Sequence, residues 1–400
     1  MPRALLEGVR VLETAERVSG PYCARILAGL GAEVVKVEPP AGDEARAMGP
    51  FPDDVPHPEK SGLFLALNGD KQSITLDLAS GADAEAFLSL VQGTDIVIDN
   101  HGPGWLESAG LGFDRLASQR SHVILTEITP FGDWGPYAGL SAGDLTLFHM
   151  SGNAPGLLGP VRDPDSEPPI RAGGHQSELV AGMAAATATL MALYGRRTTG
   201  VGAHVIVSSF EAMVTQAIAG LAKCAYGQPA QSRKLAPRRD AAGSGTVASV
   251  GGILPCADGY VAISPREEAQ WLRWLDMMGQ PSWSQDERFA TREARQENID
   301  ELWELLSVWT RARSKFDIAR EGQQRRIPCF PVNTVEDLMT DRHLEERRFF
   351  VPIDHPVAGS FKLPGVPYKL SDAHVPASSE PAPQLGQHNE TVLADVRGKP

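Results

Sequence analysis

Glu178 is the residue whose surroundings in this sequence most favour chemistry. It follows a glycine-rich turn at residues 171–174 and precedes an alanine-rich run at 181–194 that predicts a helix of small residues. A carboxylate near a helix N-terminus is stabilised in its ionised form by the backbone dipole. Such a carboxylate, held in a close-packed site, can act as a nucleophile or as a general base. The alternative is that Glu178 only caps the helix, so its position alone leaves both interpretations open.

The composition argues against several other kinds of function. A net charge of −13 over 400 residues is unfavourable for nucleic-acid binding, which needs clustered Lys and Arg. No metal site is predicted, because the four cysteines are far apart and the ten histidines lack metal-binding spacings. No segment matches a signal peptide or the roughly 18 apolar residues of a membrane span. We therefore expect a cytoplasmic protein with neither nucleic-acid nor membrane partners.

Strands that alternate with helices along the first half predict an α/β fold with a parallel sheet. Helices are predicted at 20–30, at 82–91 and through the alanine-rich run. Strands are predicted at 9–12, 33–37, 73–78, 95–99, 123–128 and 204–208. These elements would place Glu178 near the N-terminus of a long helix that is followed by the strand at 204–208.

The second half predicts a different architecture. Residues 1–225 are assigned to a large domain, and residues 253–325 to a smaller α+β domain with a strand pair and Trp-rich helices. Residues 326–400 are expected to return to the large domain. Between the two, residues 226–252 are polar and glycine-rich and are interpreted as a linker or loop. This segment contains a basic cluster formed by Arg233, Lys234, Arg238 and Arg239.

An ordered set of motifs extends over nearly the whole chain. It includes G-P-Y-C-A-R-I-L-A-G-L-G-A-E-V-V-K-V-E at 20–38, N-G-D-K-Q-S-I-T-L-D-L at 68–78, D-I-V-I-D-N-H-G-P-G at 95–104 and I-P-C-F-P-V-N-T-V-E-D-L at 327–338. In order and spacing this set resembles the family III CoA-transferases, which include formyl-CoA transferase. The resemblance implies a large Rossmann-like domain formed by the N- and C-terminal parts, a smaller inserted domain, and an interlocked homodimer.

The resemblance also implies an activity, the transfer of CoA from an acyl-CoA donor to a carboxylic acid. CoA esters would be substrates, and no cofactor is expected. The catalytic residue of the family is an aspartate that forms a mixed anhydride and then an enzyme-bound CoA thioester. Glu178 occupies that position here with one more methylene, and a displacement of about 1 Å can cost about 100-fold in rate. Glu178 is therefore a compensated nucleophile, a sign of altered function, or a structural residue.

Contacts with CoA are implied by the same resemblance. They fall on Arg17, Val18, Ser19, Lys71, Leu76, Asn100, His101 and Asp144. An arginine that often follows the N-x-x-P-G motif is replaced by Ser108, and the usual contacts near position 142 are Ala142 and Gly143. Because these changes remove charge-assisted phosphate bonds, Arg17, Lys71 or the basic cluster would have to substitute. The loop at 241–252 would cover the carboxylate.

Two other hypotheses stay open. Glu178 could be the base of an acyl-CoA isomerase, dehydratase or lyase, or the chain could be a non-catalytic CoA-ester binder. Related racemases pair the aspartate with a His before the Asp of a G-H-D segment, whereas Gly143 precedes Asp144 here. Neither His149 nor His175 matches that position, so a racemase is disfavoured. His175, three residues before Glu178, is the better candidate for a local functional role.

Overall fold

The computed structural model describes residues 4–157, 163, 165–229, 252–371 and 380–394. The chain divides into two compact units. Unit 1 comprises Met1–Leu157, Pro169–Ala230 and His343–Pro400, and unit 2 comprises Leu158–Pro168 and Gln231–Arg342. The predicted basic cluster at 233–239 and all but the last residue of the loop at 241–252 lie outside the described residues.

Unit 1 is built on a six-stranded parallel sheet in the order β3-β2-β1-β4-β5-β6. Its strands are β1 (Arg10–Glu13), β2 (Glu33–Glu38), β3 (Lys71–Thr75), β4 (Ile96–Asp99), β5 (Ile124–Thr129) and β6 (Ala203–Ser208). The prediction of an α/β fold with a parallel sheet is confirmed. The strand order reverses between β1 and β4, which is where open sheets of this kind bind ligands, outside the carboxyl ends of the strands.

Helices pack on both faces of this sheet. The helices of unit 1 up to residue 225 are α1 (Ser19–Gly29), α2 (Gly62–Leu67), α3 (Gly81–Val91), α4 (Trp105–Ser108), α5 (Phe113–Gln119), α6 (Asp144–Met150), α7 (Ala154–Leu157), α8 (Gln176–Thr199), α9 (Ser209–Val214) and α10 (Ile218–Ala225). The core that includes Val11 and Ile98 contains residues of α1 and α8. The core that includes Leu12 and Val97 contains residues of α3 and α5. The side chains of adjacent strand residues thus point to opposite faces of the sheet, because side-chain direction alternates along a strand.

Small residues let α8 lie close to α1. A Cβ placed on Gly182 would meet the backbone oxygen of Ser19 at 2.6 Å and the Tyr22 ring at 3.1 Å. Ala181 and Ala185 on the same helix are fully buried. This close approach brings the first turn of α8 beside the loop that joins β1 to α1, so the alanine-rich sequence determines where Glu178 sits.

The helix α8 also has the length and apolar composition of a membrane span, although the sequence led us to expect no such segment. Core helices pass the same test, because length and composition alone do not report packing. In unit 1, Ala181 and Thr189 of α8 are fully buried, and Thr189 hydrogen-bonds to Thr126 of β5 at 2.7 Å. One face of α8 is thus part of the protein core.

Unit 2 has a three-stranded antiparallel sheet in the order β7-β8-β9. Its elements are β7 (Gly252–Cys256), β8 (Gly259–Ile263), α11 (Glu268–Met277), α12 (Arg292–Glu297), α13 (Ile299–Arg311), α14 (Lys315–Gln324), β9 (Cys329–Val332) and α15 (Val335–Met339). The expected boundary at 325/326 is too early, because β9 pairs with β8 and Ile327 is buried in the core of this unit. The return to unit 1 begins at residue 343, one residue into α16 (Arg342–Glu346).

The C-terminal part of unit 1 adds a hairpin and a short helix. The hairpin is formed by β10 (Phe350–His355) and β11 (Gly359–Pro364), and the helix is α17 (Asn389–Val392). Asn389 attaches this segment to the sheet edge, since its side chain hydrogen-bonds to the Thr75 backbone nitrogen and hydroxyl, each at 2.8 Å. The C-terminal part therefore completes the domain begun by the N-terminal part.

Candidate active site

A cavity of about 950 Å³ opens at the carboxyl edge of the parallel sheet, and all the residues that line it belong to unit 1. Its walls come from the loops that follow β1, β4, β5 and β6 and from the first turn of α8. The cavity therefore lies at the reversal of strand order between β1 and β4. This is the position at which the topology predicts a ligand.

Glu178 forms part of the cavity wall. It is the third residue of α8, and its side chain is 15% exposed. The imidazole Nδ1 of His175 lies 2.8 Å from Glu178 Oε2. Because the N-terminus of a helix favours negative charge, this position suits an ionised carboxylate with one oxygen fixed by His175. The structure thus brings together the carboxylate and the nearby histidine that the sequence singled out.

Asp144 positions the first turn of α8. Its Oδ1 accepts a hydrogen bond from the Ser177 backbone nitrogen at 2.7 Å, and its Oδ2 accepts one from Arg171 Nη1 at 3.1 Å. His175 stands at the N-cap position without a side-chain cap, so Asp144 satisfies a backbone donor that an N-cap residue would usually satisfy. Asp144 is buried and does not line the cavity, although it was predicted as a CoA contact.

Asn100 fixes the loop between β1 and α1. Its Oδ1 accepts from the Glu16 backbone nitrogen at 2.8 Å, and its Nδ2 donates to the Glu16 oxygen at 2.8 Å and to Ser19 Oγ at 3.0 Å. Arg17 in this loop has a φ of 65° and a guanidinium 3.7 Å from Glu44. Arg17, Ser19 and Asn100 line the cavity, whereas Val18 is fully buried beneath it. Asn100 therefore holds this loop in place and also lines the cavity.

His101 directly follows Asn100 and is held by Asp99. Its Nδ1 is 2.7 Å from Asp99 Oδ1, which also accepts from Thr14 Oγ1 at 2.8 Å. The His101 ring stacks on Trp105 with 3.8 Å between centroids. Burial alone would lower the pKa of His101, but Asp99 and Glu16 outweigh burial and raise it. Sequence reasoning missed this pair, although an Asp two residues before a His at a strand end was a visible signal.

Lys71 and Leu76, two of the predicted CoA contacts, do not line the cavity. Lys71 Nζ is fully buried and lies 2.7 Å from Glu13 Oε2, 2.9 Å from the Pro21 oxygen and 2.9 Å from Asn68 Oδ1. These three acceptors match the three protons of the ammonium group. Burial lowers the pKa of Lys71 to about 8. Leu76 is buried in the hydrophobic core of the sheet, so its side chain packs rather than binds.

The cavity wall carries more acidic than basic side chains. Its acidic residues are Glu16, Glu44, Asp133 and Glu178, and its basic candidates are Arg17 and His101. Burial raises the pKa of Glu16, which favours the neutral form of that carboxyl. Ser108, Ala142 and Gly143 also line the cavity. The three substitutions noted from the sequence are therefore located in the candidate site itself.

The whole chain matches a known family, since residues 6–389 fit the model of CoA-transferase family III. The chain belongs to this family. It is 31% identical to the succinyl-CoA:(R)-benzylsuccinate CoA-transferase subunit BbsE of Thauera aromatica, over 94% of this chain and 90% of that protein. It is 30% identical to the formyl-CoA:oxalate CoA-transferase of Streptomyces avermitilis, over 98% of this chain and 95% of that protein.

A solved structure supports the same assignment. The crystal structure of a CAIB/BAIF family protein from Brucella suis superposes with a TM-score of 0.85 at 28% identity, covering 99% of this chain and all of that one. The family expected from the ordered motifs is confirmed, and the protein is an enzyme of the CoA-transferase class. Acyl-CoA and carboxylic acids follow as its classes of substrate.

Proposed function

We propose that this chain transfers CoA between an acyl-CoA donor and a carboxylic acid acceptor with Glu178 as the covalent nucleophile. One observation carries the proposal, namely that the Glu178 carboxylate lines the cavity at the crossover between β1 and β4. The names of the relatives, which pair succinyl-CoA or formyl-CoA with another carboxylic acid, support this class of reaction.

The first half of the cycle moves CoA onto the enzyme. A Glu178 oxygen attacks the thioester carbonyl carbon, the C–S bond breaks, and CoA leaves as a thiolate from a mixed anhydride. The thiolate then attacks the Glu178 carbonyl carbon, which releases the donor acid and leaves a glutamyl-CoA thioester. The acceptor carboxylate repeats both steps in reverse order and restores the Glu178 carboxylate. Water must be excluded throughout, because both intermediates hydrolyse readily.

His175 explains how a glutamate can serve where relatives of this family are expected to have an aspartate. The extra methylene gives the side chain more freedom, and the hydrogen bond from His175 to Oε2 reduces that freedom. The other carboxylate oxygen is then free to attack in a defined direction. Because positioning of this kind governs rate, His175 belongs to the machinery that orients the nucleophile.

An interlocked homodimer remains a proposal that accompanies this function. Large apolar side chains are exposed on α8 and α10, including Met191, Tyr194, Ile218 and Leu221. A second copy of the chain would remove these side chains from water, which stabilises association. Analytical ultracentrifugation tests this directly, and a monomer at micromolar concentration would contradict it.

Proton transfer by Glu178 is the second candidate function. It is favoured by the direct contact of Glu178 with His175, since a carboxylate–imidazole pair can move a proton as well as orient a nucleophile. The relative from Thauera aromatica is named as a subunit, which keeps a non-catalytic partner role open as a further alternative. Both alternatives predict that no acyl or CoA group becomes attached to the enzyme.

The test is mass spectrometry of the intact protein after incubation with a panel of acyl-CoAs that includes succinyl-CoA and formyl-CoA. Borohydride reduction or hydroxylamine treatment would trap the thioester, and peptide mapping would locate it. We expect an adduct on Glu178 in the wild type, none in Glu178→Gln, and formation at least about 10-fold slower in Glu178→Asp. Glu85→Gln, which changes an exposed carboxylate of α3, is the matched control.

Two results would reject Glu178 as the nucleophile. One is CoA transfer by Glu178→Gln at the rate of the wild type. The other is tight binding of acyl-CoA without any adduct or transfer, which would favour proton-transfer chemistry or a binding role.

A further inference from the structure

The proposed cycle releases the sulfur of CoA as a thiolate in each half-reaction, so the cavity needs a group that stabilises it. A neighbouring imidazolium stabilises thiolates strongly, as in proteins that pair Cys with His. Among the described residues that line the cavity, only Arg17 and His101 offer a cationic side chain, and Arg17 lies 3.7 Å from the acidic Glu44. His101 is therefore the group to consider.

The geometry around His101 is that of an oriented donor. Asp99 is 1% exposed. One of its carboxylate oxygens pairs with His101 Nδ1, and the other accepts a hydrogen bond from the His101 backbone nitrogen at 3.1 Å. Thr14 holds Asp99 in turn, and the stacking on Trp105 fixes the plane of the ring. With Nδ1 occupied by Asp99, Nε2 is the nitrogen left to meet a ligand.

The groups that face the imidazole come from three elements. Asp99 belongs to β4, Glu16 to the loop after β1, and Lys36 to β2. Glu16 Oε2 is 3.9 Å from Nε2, which exceeds the reach of a direct hydrogen bond. Burial and Lys36 lower the pKa of His101, but the two carboxylates outweigh them and raise it, so the imidazolium is more favoured here than in a free histidine.

We propose that His101 Nε2 donates a hydrogen bond to the CoA sulfur and holds it as a thiolate in this cavity. The proposal rests on the proposed function. When the C–S bond of the donor thioester breaks, the electron pair stays on sulfur and the Nε2 proton shares that charge without leaving the imidazole. When the thiolate attacks the next carbonyl, the pair forms the new C–S bond and Nε2–H is released. Asp99 acts as a positioning residue, because it reaches the sulfur only through His101.

The experiment uses CoA and desulfo-CoA, which lacks the sulfur, as its two probes. Calorimetric titration of the full-length protein at neutral pH would compare the wild type, His101→Gln and His149→Gln. His149 lies on α6 outside the cavity, so its variant is the matched control. A hydrogen bond to a charged partner corresponds to a preference of about 10- to 100-fold for CoA over desulfo-CoA in the wild type and in His149→Gln.

In His101→Gln we expect that preference to fall to less than about 3-fold, while the affinity for desulfo-CoA stays within about 2-fold of the wild type. Retained binding of desulfo-CoA also shows that the variant is folded. The ultraviolet absorbance of the thiolate provides the second readout, and it should appear on binding CoA to the wild type but not to His101→Gln.

Three results would overturn the assignment. They are an unchanged preference for CoA in His101→Gln, no preference in the wild type, and an equal loss of affinity for both probes in the variant. The adduct on Glu178 is measured separately in the same preparations. If the adduct forms but the wild type shows no preference for CoA over desulfo-CoA, only the role of His101 is rejected. If that preference is present but no adduct forms, the role of His101 is supported and Glu178 is rejected as the nucleophile.

Discussion

Two groups of charged residues belong to the same parallel sheet and the loops after its strands, and they differ in what their charges contact. A buried network joins Glu13 at the carboxyl end of β1, Lys36 within β2, Asp43 in the loop after β2 and Lys71 at the amino end of β3. The second group lines the cavity at the crossover between β1 and β4 and consists of Glu16, Arg17, His101 and Glu178. The first group satisfies its charges within the protein, whereas the second keeps donors and acceptors facing the cavity. Charge at a strand end therefore marks a site only where the topology also leaves a crevice.

The buried network serves the cavity indirectly. Lys36 Nζ lies 3.1 Å from Glu13 Oε1, 2.8 Å from Asp43 Oδ2 and 2.7 Å from the Ala15 oxygen. Asp43 Oδ1 in turn accepts from the Arg17 backbone nitrogen at 2.9 Å. The network thus fixes the backbone of the loop that forms one cavity wall. We expect changes in the network to alter stability and changes in the cavity to alter ligand binding.

Lys71→Met should have the largest effect on stability. Removing one partner of a buried ion pair typically costs about 3–5 kcal/mol, and since Glu13 keeps Lys36, we expect a loss of about 3 kcal/mol in the free energy of unfolding. Lys362→Met, on the exposed surface of β11, is the control and should change stability by less than about 0.5 kcal/mol. Denaturant unfolding measures both, and CoA affinity of the folded variants should stay unchanged.

The pH dependence of the free energy of unfolding gives a second test of the role of Lys71. The pKa of Lys71 is lowered to about 8 by burial, below its usual value of about 10.4 in an unfolded chain. The unfolded state therefore binds more protons between these values, so Lys71 makes wild-type stability rise with pH over that window. Lys71→Met should lack this rise. A variant of normal stability with weakened CoA binding would instead place Lys71 in the binding site.

Gly182→Ala tests how α8 is positioned against the loop after β1. A Cβ at this residue would clash with the Ser19 oxygen, so we expect a loss of about 1–3 kcal/mol and slower reaction at Glu178. Gly195→Ala in the same helix is the matched control, since a Cβ there meets nothing within 4 Å. That change should stabilise the protein by about 0.5–1 kcal/mol. Equal effects of the two variants, measured by thermal unfolding, would show that close packing does not place Glu178.

Asp144→Ala should have the smallest effect on stability. The loss of its bond to the Ser177 nitrogen resembles the loss of an N-cap, which costs about 1 kcal/mol. Because the affected turn carries Glu178, we expect the rate of adduct formation to fall more than the affinity for CoA. Stopped-flow binding and quenched single-turnover reactions separate the two. A selective loss of CoA affinity would restore Asp144 to the predicted CoA contacts.

The sequence predicted the elements of the large domain well where local pattern alone determines a strand or a helix. Val- and Ile-rich strands alternating with helices indicated the parallel sheet, and the small residues before Glu178 indicated the helix that presents it. The strand predicted at 73–78 is β3, which begins at Lys71 because that charged residue is buried with acceptors that come from distant parts of the chain. Such partners are invisible in a linear sequence.

Long-range pairing also explains the other differences. The strand β9 has four residues and joins its sheet only by pairing with β8, far earlier in the chain, so its domain could not be assigned from local pattern. Asp144 is acidic and near the expected site, but its role depends on the Ser177 nitrogen. His101 was predicted as a CoA contact, whereas its orientation by Asp99 required the geometry at the end of β4.

The most direct test of the account follows oxygen through Glu178. In the proposed cycle, an oxygen of the acceptor carboxylate remains on Glu178 after the new acyl-CoA departs. Turnover with an acceptor acid carrying a heavy oxygen isotope should therefore place the isotope in the Glu178 side chain, as read by tandem mass spectrometry of the peptide. Formation of labelled acyl-CoA product while Glu178 stays unlabelled would contradict the claim that this carboxylate is the nucleophile.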